Sequence, residues 1–214
     1  MKKDTYLEEL MLNYPELNVC KSSIVKAYEL LVNGYKCGRK ILICGNGGSS
    51  SDADHFTAEL MKSFRVKRPL PTLLKQRFMK LGNRGTFLSN HLERAIPVIS
   101  LSANTSTMTA VSNDMGYEFA FAQQVVGYGK EGDVLIAITT SGKSNNVTNA
   151  IFTAKALGMK VICFTGGTQS FIGDNFCDVI IRAPSVETFR IQEFHLPIYH
   201  SLCSMVENEI VKEN

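Results

Sequence analysis

The acid–base and ligating capacity of this chain is concentrated in a few side chains at helical spacings. In the helix-like stretch 50–63, His55 and Glu59 are four residues apart and therefore share one face. In the last helix-like stretch, 188–211, Gln192 has two candidate partners. At about 100° per residue, His195 falls to one side of it and His200, two turns on, to the other. Geometry alone does not choose between those histidines, and Pro197 between them can kink the helix. Two such faces could offer nitrogen and oxygen atoms to a metal, or acid and base groups to a sugar. Either pair alone is weak: a His–Glu pair at this spacing is often merely solvated. The remaining histidine, His91, has no evident partner and reads as surface.

Two polar turns could hold a ligand for those groups. Ile41–Cys44 is an apolar run that ends in Gly45-Asn46-Gly47-Gly48-Ser49-Ser50-Ser51. Glycines there let backbone approach a ligand, and Asn46 and the serines supply hydrogen bonds at a helix start. The order is neither a dinucleotide fingerprint nor a Walker loop. After a second apolar run, Thr139, Thr140, Ser141 and Ser144 crowd a turn before another helix-like stretch. Hydroxyls and the positive end of a helix at a strand's carboxyl end suit a phosphate monoester, whereas simple N-capping needs only one of those hydroxyls. Asn113-Asp114 reads by itself as a helix C-terminal cap, and the polar turn 164–170 reads as a loop.

The elements that must position these groups follow from periodicity. Apolar residues in 5–37, broken near Pro15, give two N-terminal helices, suited to core packing or dimer contact. Strands are then expected at 40–44, 96–101, 134–138, 160–165 and 179–182, alternating with helices at 50–63, 106–114, 118–127, 145–157 and 188–211. Continuous apolar strands alternating with helices specify a mostly parallel, doubly wound sheet covered on both faces, an α/β three-layer sandwich. The stretch 70–94, rich in basic residues, interrupts the rhythm; it reads either as a surface excursion or as a lid.

Composition narrows the function class. A chain of 214 residues that is 44% hydrophobic buries one substantial core, and 23 Lys+Arg against 20 Asp+Glu do not argue for nucleic acid or a membrane surface. Six cysteines without a C-x-x-C pair, an N-terminus lacking an apolar leader and no run of about 18 apolar residues lead us to expect a reduced, cytoplasmic protein.

Taken together, Gly45-Asn46-Gly47-Gly48-Ser49 leading to Asp52, His55, Phe56 and Glu59, then Ser112-Asn113-Asp114-x-Gly116-Tyr117, Thr140-Ser141-Gly142-x-Ser144-x-Asn146 and Arg190-Ile191-Gln192-Glu193-x-His195, resemble the phosphoheptose isomerases of the sugar isomerase (SIS) superfamily. The resemblance spans about residues 5–211 apart from the 70–94 insertion. It implies the SIS fold with extra N-terminal helices, a homotetramer with sites at subunit interfaces, and conversion of sedoheptulose 7-phosphate to D-glycero-D-manno-heptose 7-phosphate, the entry to bacterial heptose for lipopolysaccharide or surface glycans. It also implies that substrate meets Asn46, Gly47, Gly48, Glu59, Asn113, Asp114 and Gln192, and that phosphate meets Thr139, Thr140, Ser141 and Ser144. Thr139 stands where relatives usually carry serine. Zinc is implied on His55, Glu59, Gln192 and His200, so the resemblance, not helix geometry, selects His200 over His195. We expect Glu59 to act as base and His200 as its acid partner, roles that compete with metal ligation for the same atoms. Three other readings stay open: a non-catalytic regulatory SIS protein, a sugar-phosphate sensor, and an isomerase of another ketose phosphate.

Overall fold

The computed structural model describes residues 3–167 and 174–211. Thr168, Gln169 and Ser170 of the polar turn expected at 164–170 lie outside the described residues. Two N-terminal helices, α1 (Lys3–Asn13) and α2 (Lys21–Lys36), flank a 3-10 turn that starts at Pro15, where the missing N–H costs nothing at a helix start. Alternation begins with β1 (Ile41–Gly45) and α3 (Gly48–Met61). After the insertion come β2 (Val98–Ser100), α6 (Thr105–Asp114), α7 (Ala120–Tyr128), β3 (Val134–Ile138), α8 (Asn145–Ala156), β4 (Lys160–Gly166), β5 (Val179–Ala183) and α9 (Thr188–Val211). The expected strand 96–101 shortens because Pro97 has no N–H to give the ladder, and the expected helix 118–127 begins with a 3-10 turn, Tyr117–Phe119.

Among the described residues the sheet is five-stranded and wholly parallel, in the order β2-β1-β3-β4-β5. Leu42, Cys44, Leu135, Ala137 and Val161 face one side, where they pack with Phe121, Val125, Val147, Ala150 and Ile151 of α7 and α8. Ile41, Ile43, Ile136, Ile138 and Ile162 face the other, against α2, Ala53 and Phe56 of α3, and Ile198, Tyr199 and Leu202 of α9. Burial on both faces is why the strands read as continuous apolar runs. The chain winds outward from β1 to β2, then crosses to β3. The turns after β1 and β3 therefore adjoin at the switch point, where ligands of such sheets bind.

α3 and α9 run side by side, and a buried ion pair fixes their far ends. Glu207 of α9 accepts backbone N–H bonds from Phe64, Arg65 and Val66, at 2.7, 2.7 and 2.8 Å, in the segment that leaves α3. Its carboxylate lies 3.1 Å from Arg68 Nε, both side chains being essentially inaccessible. The Arg68 guanidinium in turn donates to the carbonyls of Leu60 and Glu59, at 2.9 and 3.2 Å, two acceptors the helix end leaves without intrahelical partners.

The insertion is two helices, α4 (Thr72–Met79) and α5 (Gly82–His91), which the sequence pattern did not disclose. They cross closely at Gly85, where a Cβ would lie 1.9 Å from the Phe78 carbonyl oxygen. Leu73, Leu74, Met79, Leu81, Phe87 and Leu92 are exposed, so no apolar stripe points at the core and no helical period stands out. The base of the hairpin is tied by the Pro69–Glu93 bridge and by the Ser63 N–H bond to Glu93, which holds that carboxyl down at about 2.

Replacing Glu207 by Gln leaves the Arg68 charge buried without its counter-charge. We expect a loss of about 3–5 kcal/mol of unfolding free energy in urea titrations. A change below about 1 kcal/mol would remove this ion pair from any structural role.

Candidate active site at the switch point and the α3–α9 seam

The turn after β1 needs glycine at two places. Gly47 has φ +55°, and a Cβ on Gly48 would lie 2.6 Å from Gln192 Nε2, so the bare Gly48 backbone is what lets Gln192 reach this turn from α9. Just before them Asn46 is fully engaged. It exchanges two amide bonds of 2.8 Å with Asn146 at the start of α8, and its Oδ1 accepts the Tyr117 hydroxyl at 2.7 Å. These contacts lock the β1 and β3 turns together across the switch point. They line a cavity of about 310 Å³ together with Glu118, Ser144 and Asn145.

Of the hydroxyls on the β3 turn, Ser144 lines that cavity. Thr139 is buried and accepts the Gly142 N–H at 3.2 Å, while exposed Ser141 accepts the Lys143 N–H at 3.2 Å. Ser144 occupies the N-cap of α8 but makes no side-chain cap bond, and Thr140 is half-buried beside it. The N-capping explanation of this turn therefore does not use Ser144. Asn113 and Asp114, at the end of α6, are exposed and bonded to each other at 2.8 Å; Tyr117 is the residue of that segment that bonds Asn46.

Along the seam, α3 and α9 face each other in matching steps. Gly48 meets Gln192, and seven residues on, His55 meets Tyr199 and His200. The His55 and His200 rings stand edge to face with centroids 5.0 Å apart, and His55 Nε2 lies 3.4 Å from Glu59 Oε1. Lys62 holds the other carboxylate oxygen at 3.3 Å. The structure thus gathers His55, Glu59 and His200, while Gln192, eight residues or about 12 Å earlier along α9, is turned to the β1 turn. Burial, reinforced by the neighbouring His55, lowers the His200 pKa against the opposing pull of Glu59, which keeps its imidazole neutral near pH 7. His200 also lines a separate cavity of about 400 Å³ bounded by Tyr6, Leu10, Phe64, Arg65 and Pro197.

His195 is placed differently. It is fully buried, bonded through Nε2 to the Thr165 carbonyl at 3.4 Å, and burial lowers its pKa to about 4. Pro197 does not end the helix, which continues through it to Val211. His91 is exposed, with Nδ1 at 2.7 Å from the Phe87 carbonyl.

The donor chemistry suits zinc. Two ligands bonded tetrahedrally at about 2.0–2.1 Å stand roughly 3.3–3.4 Å apart, and His55 Nε2 and Glu59 Oε1 have that separation. His200 Nε2 is buried with no hydrogen-bond partner among the described residues. Among those residues His, Cys, Asp and Glu form no group of three or more able to hold a metal, so His55, Glu59 and His200 do not converge on one metal position in this geometry, and the Gln192 amide is turned to Gly48. Residues the sequence reading left out of the site are Tyr117 and Asn146, which brace Asn46, and Tyr199 and Asp52, which flank His55. Tyr117 and Asn146 stand within the motifs quoted above, whereas Tyr199 looks like one more core aromatic.

Comparison with known proteins gives a consistent result. The SIS domain family matches residues 78–166. A phosphoheptose isomerase of Clostridium acetobutylicum is 39% identical over 185 residues, covering 86% of this chain and 81% of that protein. One of Shewanella oneidensis is 35% identical over 214 residues, covering 99% and 96%. The structure of a phosphoheptose isomerase from Francisella tularensis superposes with TM-score 0.75 at 32% identity, covering 96% of both chains. That from Neisseria gonorrhoeae gives 0.68 at 29% identity, covering 96% and 91%.

The two α9 histidines differ in a way that acidification reads. Between about pH 6.5 and 4 an unfolded histidine binds a proton that His195 does not, so stability falls as pH drops through that window. Asp52, raised to about 6 by burial, works in the opposite sense over part of it. Wild type should therefore lose more stability than His195→Phe between pH 7 and 4 in urea titrations; parallel curves would contradict the assignment.

Proposed function

The chain belongs to the phosphoheptose isomerase family of SIS-domain proteins, and from that premise we propose that it interconverts sedoheptulose 7-phosphate and D-glycero-D-manno-heptose 7-phosphate by enediolate proton transfer between Glu59 and His200. The observation that carries this reading is the approach of Glu59, His55 and His200 from opposite ends of the sequence on one helix seam.

The chemistry follows from the side chains. In this reading the phosphate rests on Thr139, Thr140, Ser141 and Ser144, where first-turn amides and the α8 dipole favour an anion. Asn46, Gly47, Gly48, Asn113, Asp114 and Gln192 orient the sugar hydroxyls. The Glu59 carboxylate removes a proton from C1, and the electron pair forms the C1–C2 double bond as negative charge moves onto O2. A neutral His200 imidazole can donate to O2 and accept from O1, so it relays the hydroxyl proton while Glu59 returns its own proton to C2. Zinc on His55, Glu59, Gln192 and His200 would supply Lewis-acid stabilisation of the enediolate oxygens.

We further propose a homotetramer in the cytoplasm that feeds heptose into lipopolysaccharide or surface glycans. The sugar-phosphate cavity and the His200 cavity of one chain are distinct, which supports a site completed across subunits. The α4–α5 hairpin, whose apolar residues are exposed, suits a lid or an oligomer contact. Among the described residues no helix is long and apolar enough to cross a membrane.

Purified protein incubated with sedoheptulose 7-phosphate, with and without added zinc, should form the aldose. Glu59→Gln and His200→Asn should each lower kcat by about 10²–10⁴-fold while leaving binding of the sugar phosphate in place. No turnover by wild type in either condition would make the protein a binder, and near-full rate in either variant would remove that residue from the mechanism.

A further inference from the structure

We propose that Tyr117 is a substrate-binding residue, its phenol oxygen accepting a hydrogen bond from one hydroxyl of the sugar in the cavity between the β1 and β3 turns. The ligand class, a phosphorylated sugar, rests on the functional reading above; the polarity of the contact follows from hydrogen bonds within this chain.

Those bonds run in one consistent direction. The Val147 backbone N–H, in the first turn of α8, reaches the Asn146 side chain at 2.9 Å and can face only its oxygen. That assigns the two ends of the Asn146 amide, and the reciprocal 2.8 Å bonds then assign those of Asn46. The Asn46 oxygen accepts from Asn146 Nδ2 and, at 2.7 Å, from the Tyr117 hydroxyl. With both lone pairs occupied, it has none left to accept from a sugar hydroxyl. A phenol has one proton, and Tyr117 faces an oxygen that carries none, so its proton is committed to Asn46. The phenol oxygen remains an acceptor, and among the described residues no group donates to it.

The segment that carries Tyr117 is held on both sides. Gly116, with φ +115°, makes a turn after α6 that a side chain would strain, and the Asn149 amide of α8 donates to the Glu118 carbonyl at 2.9 Å. Tyr117 is 52% exposed and lines the cavity of about 310 Å³ together with Ser144. Ser144 makes no cap bond and is one of the hydroxyls given to phosphate above. A sugar phosphate anchored there brings its hydroxyls into the cavity where the phenol oxygen waits as an oriented acceptor. In this arrangement the Asn46 oxygen aims the phenol, and the phenol meets the sugar.

Tyr117→Phe in the full chain removes the acceptor and keeps the ring. Equilibrium dialysis against sedoheptulose 7-phosphate and against inorganic phosphate separates reading a hydroxyl from bracing the turns, because inorganic phosphate has no sugar to read. The sugar phosphate should bind the variant about three- to tenfold more weakly, whereas inorganic phosphate should bind both proteins alike. Among monodeoxy analogues of sedoheptulose 7-phosphate, the one lacking the hydroxyl that Tyr117 reads should also bind both proteins alike. Unchanged sugar-phosphate affinity in the variant would overturn the proposal. So would an equal loss for sugar phosphate and inorganic phosphate, or for every deoxy analogue, since either would reduce Tyr117 to a brace. A wild type that holds the sugar phosphate no more tightly than inorganic phosphate would overturn it as well. A wild type that shows the expected affinities without turnover would remove the isomerase reading and leave this contact standing.

Discussion

A single carboxylate, Glu207, determines whether the two ends of this sequence can cooperate. It is buried among three backbone N–H donors and an arginine, and Arg68 closes the end of the helix that carries His55 and Glu59. Desolvating such a pair is costly, so it does not explain stability by itself. Its effect is registration: α9 is pinned to the exit of α3, and the preceding turns of both helices then meet in a fixed sequence. His55 finds Tyr199 and His200, and Gly48 finds Gln192. A slip of one helical turn, about 5.4 Å, would separate all of these contacts at once.

The switch point of the sheet depends on that registration for only one of its walls. The Asn46–Asn146 amide pair and Tyr117 brace the crevice from within the α/β layers, independently of α9. Gln192 links the halves, since its amide reaches the glycine turn from α9. The groups proposed to grip phosphate and those proposed to transfer protons thus belong to two separately stabilised parts of the fold. That division suits an enzyme that must hold one end of a seven-carbon substrate while reacting at the other.

How much of this was legible beforehand varied with the range of the interaction. The parallel sheet was, because doubly covered strands leave continuous apolar runs such as Ile41–Cys44 and Val134–Ile138, and α9 was expected over the same 188–211 span it occupies. The hairpin α4–α5 was not, since its apolar residues are exposed and follow no core-facing stripe. His195 and His200 lie almost symmetrically about Gln192 on a helical wheel, so only three-dimensional packing distinguishes the buried, Thr165-bonded ring from the one beside His55. The partners of Glu207 and Tyr199 lie 139 or more residues away, and no local pattern encodes a contact of that separation.

The central claim is that the C1 proton leaves as a proton, onto Glu59, rather than passing directly from C1 to C2. Running the isomerisation in deuterium oxide and reading the sugar by proton and carbon NMR tests it most directly. The account predicts deuterium at C2 of the aldose phosphate, and at C1 of recovered ketose as the reaction equilibrates, with both signals lost in Glu59→Gln. Turnover that carries the original hydrogen intact from C1 to C2, with no deuterium at either carbon at equilibrium, would contradict it.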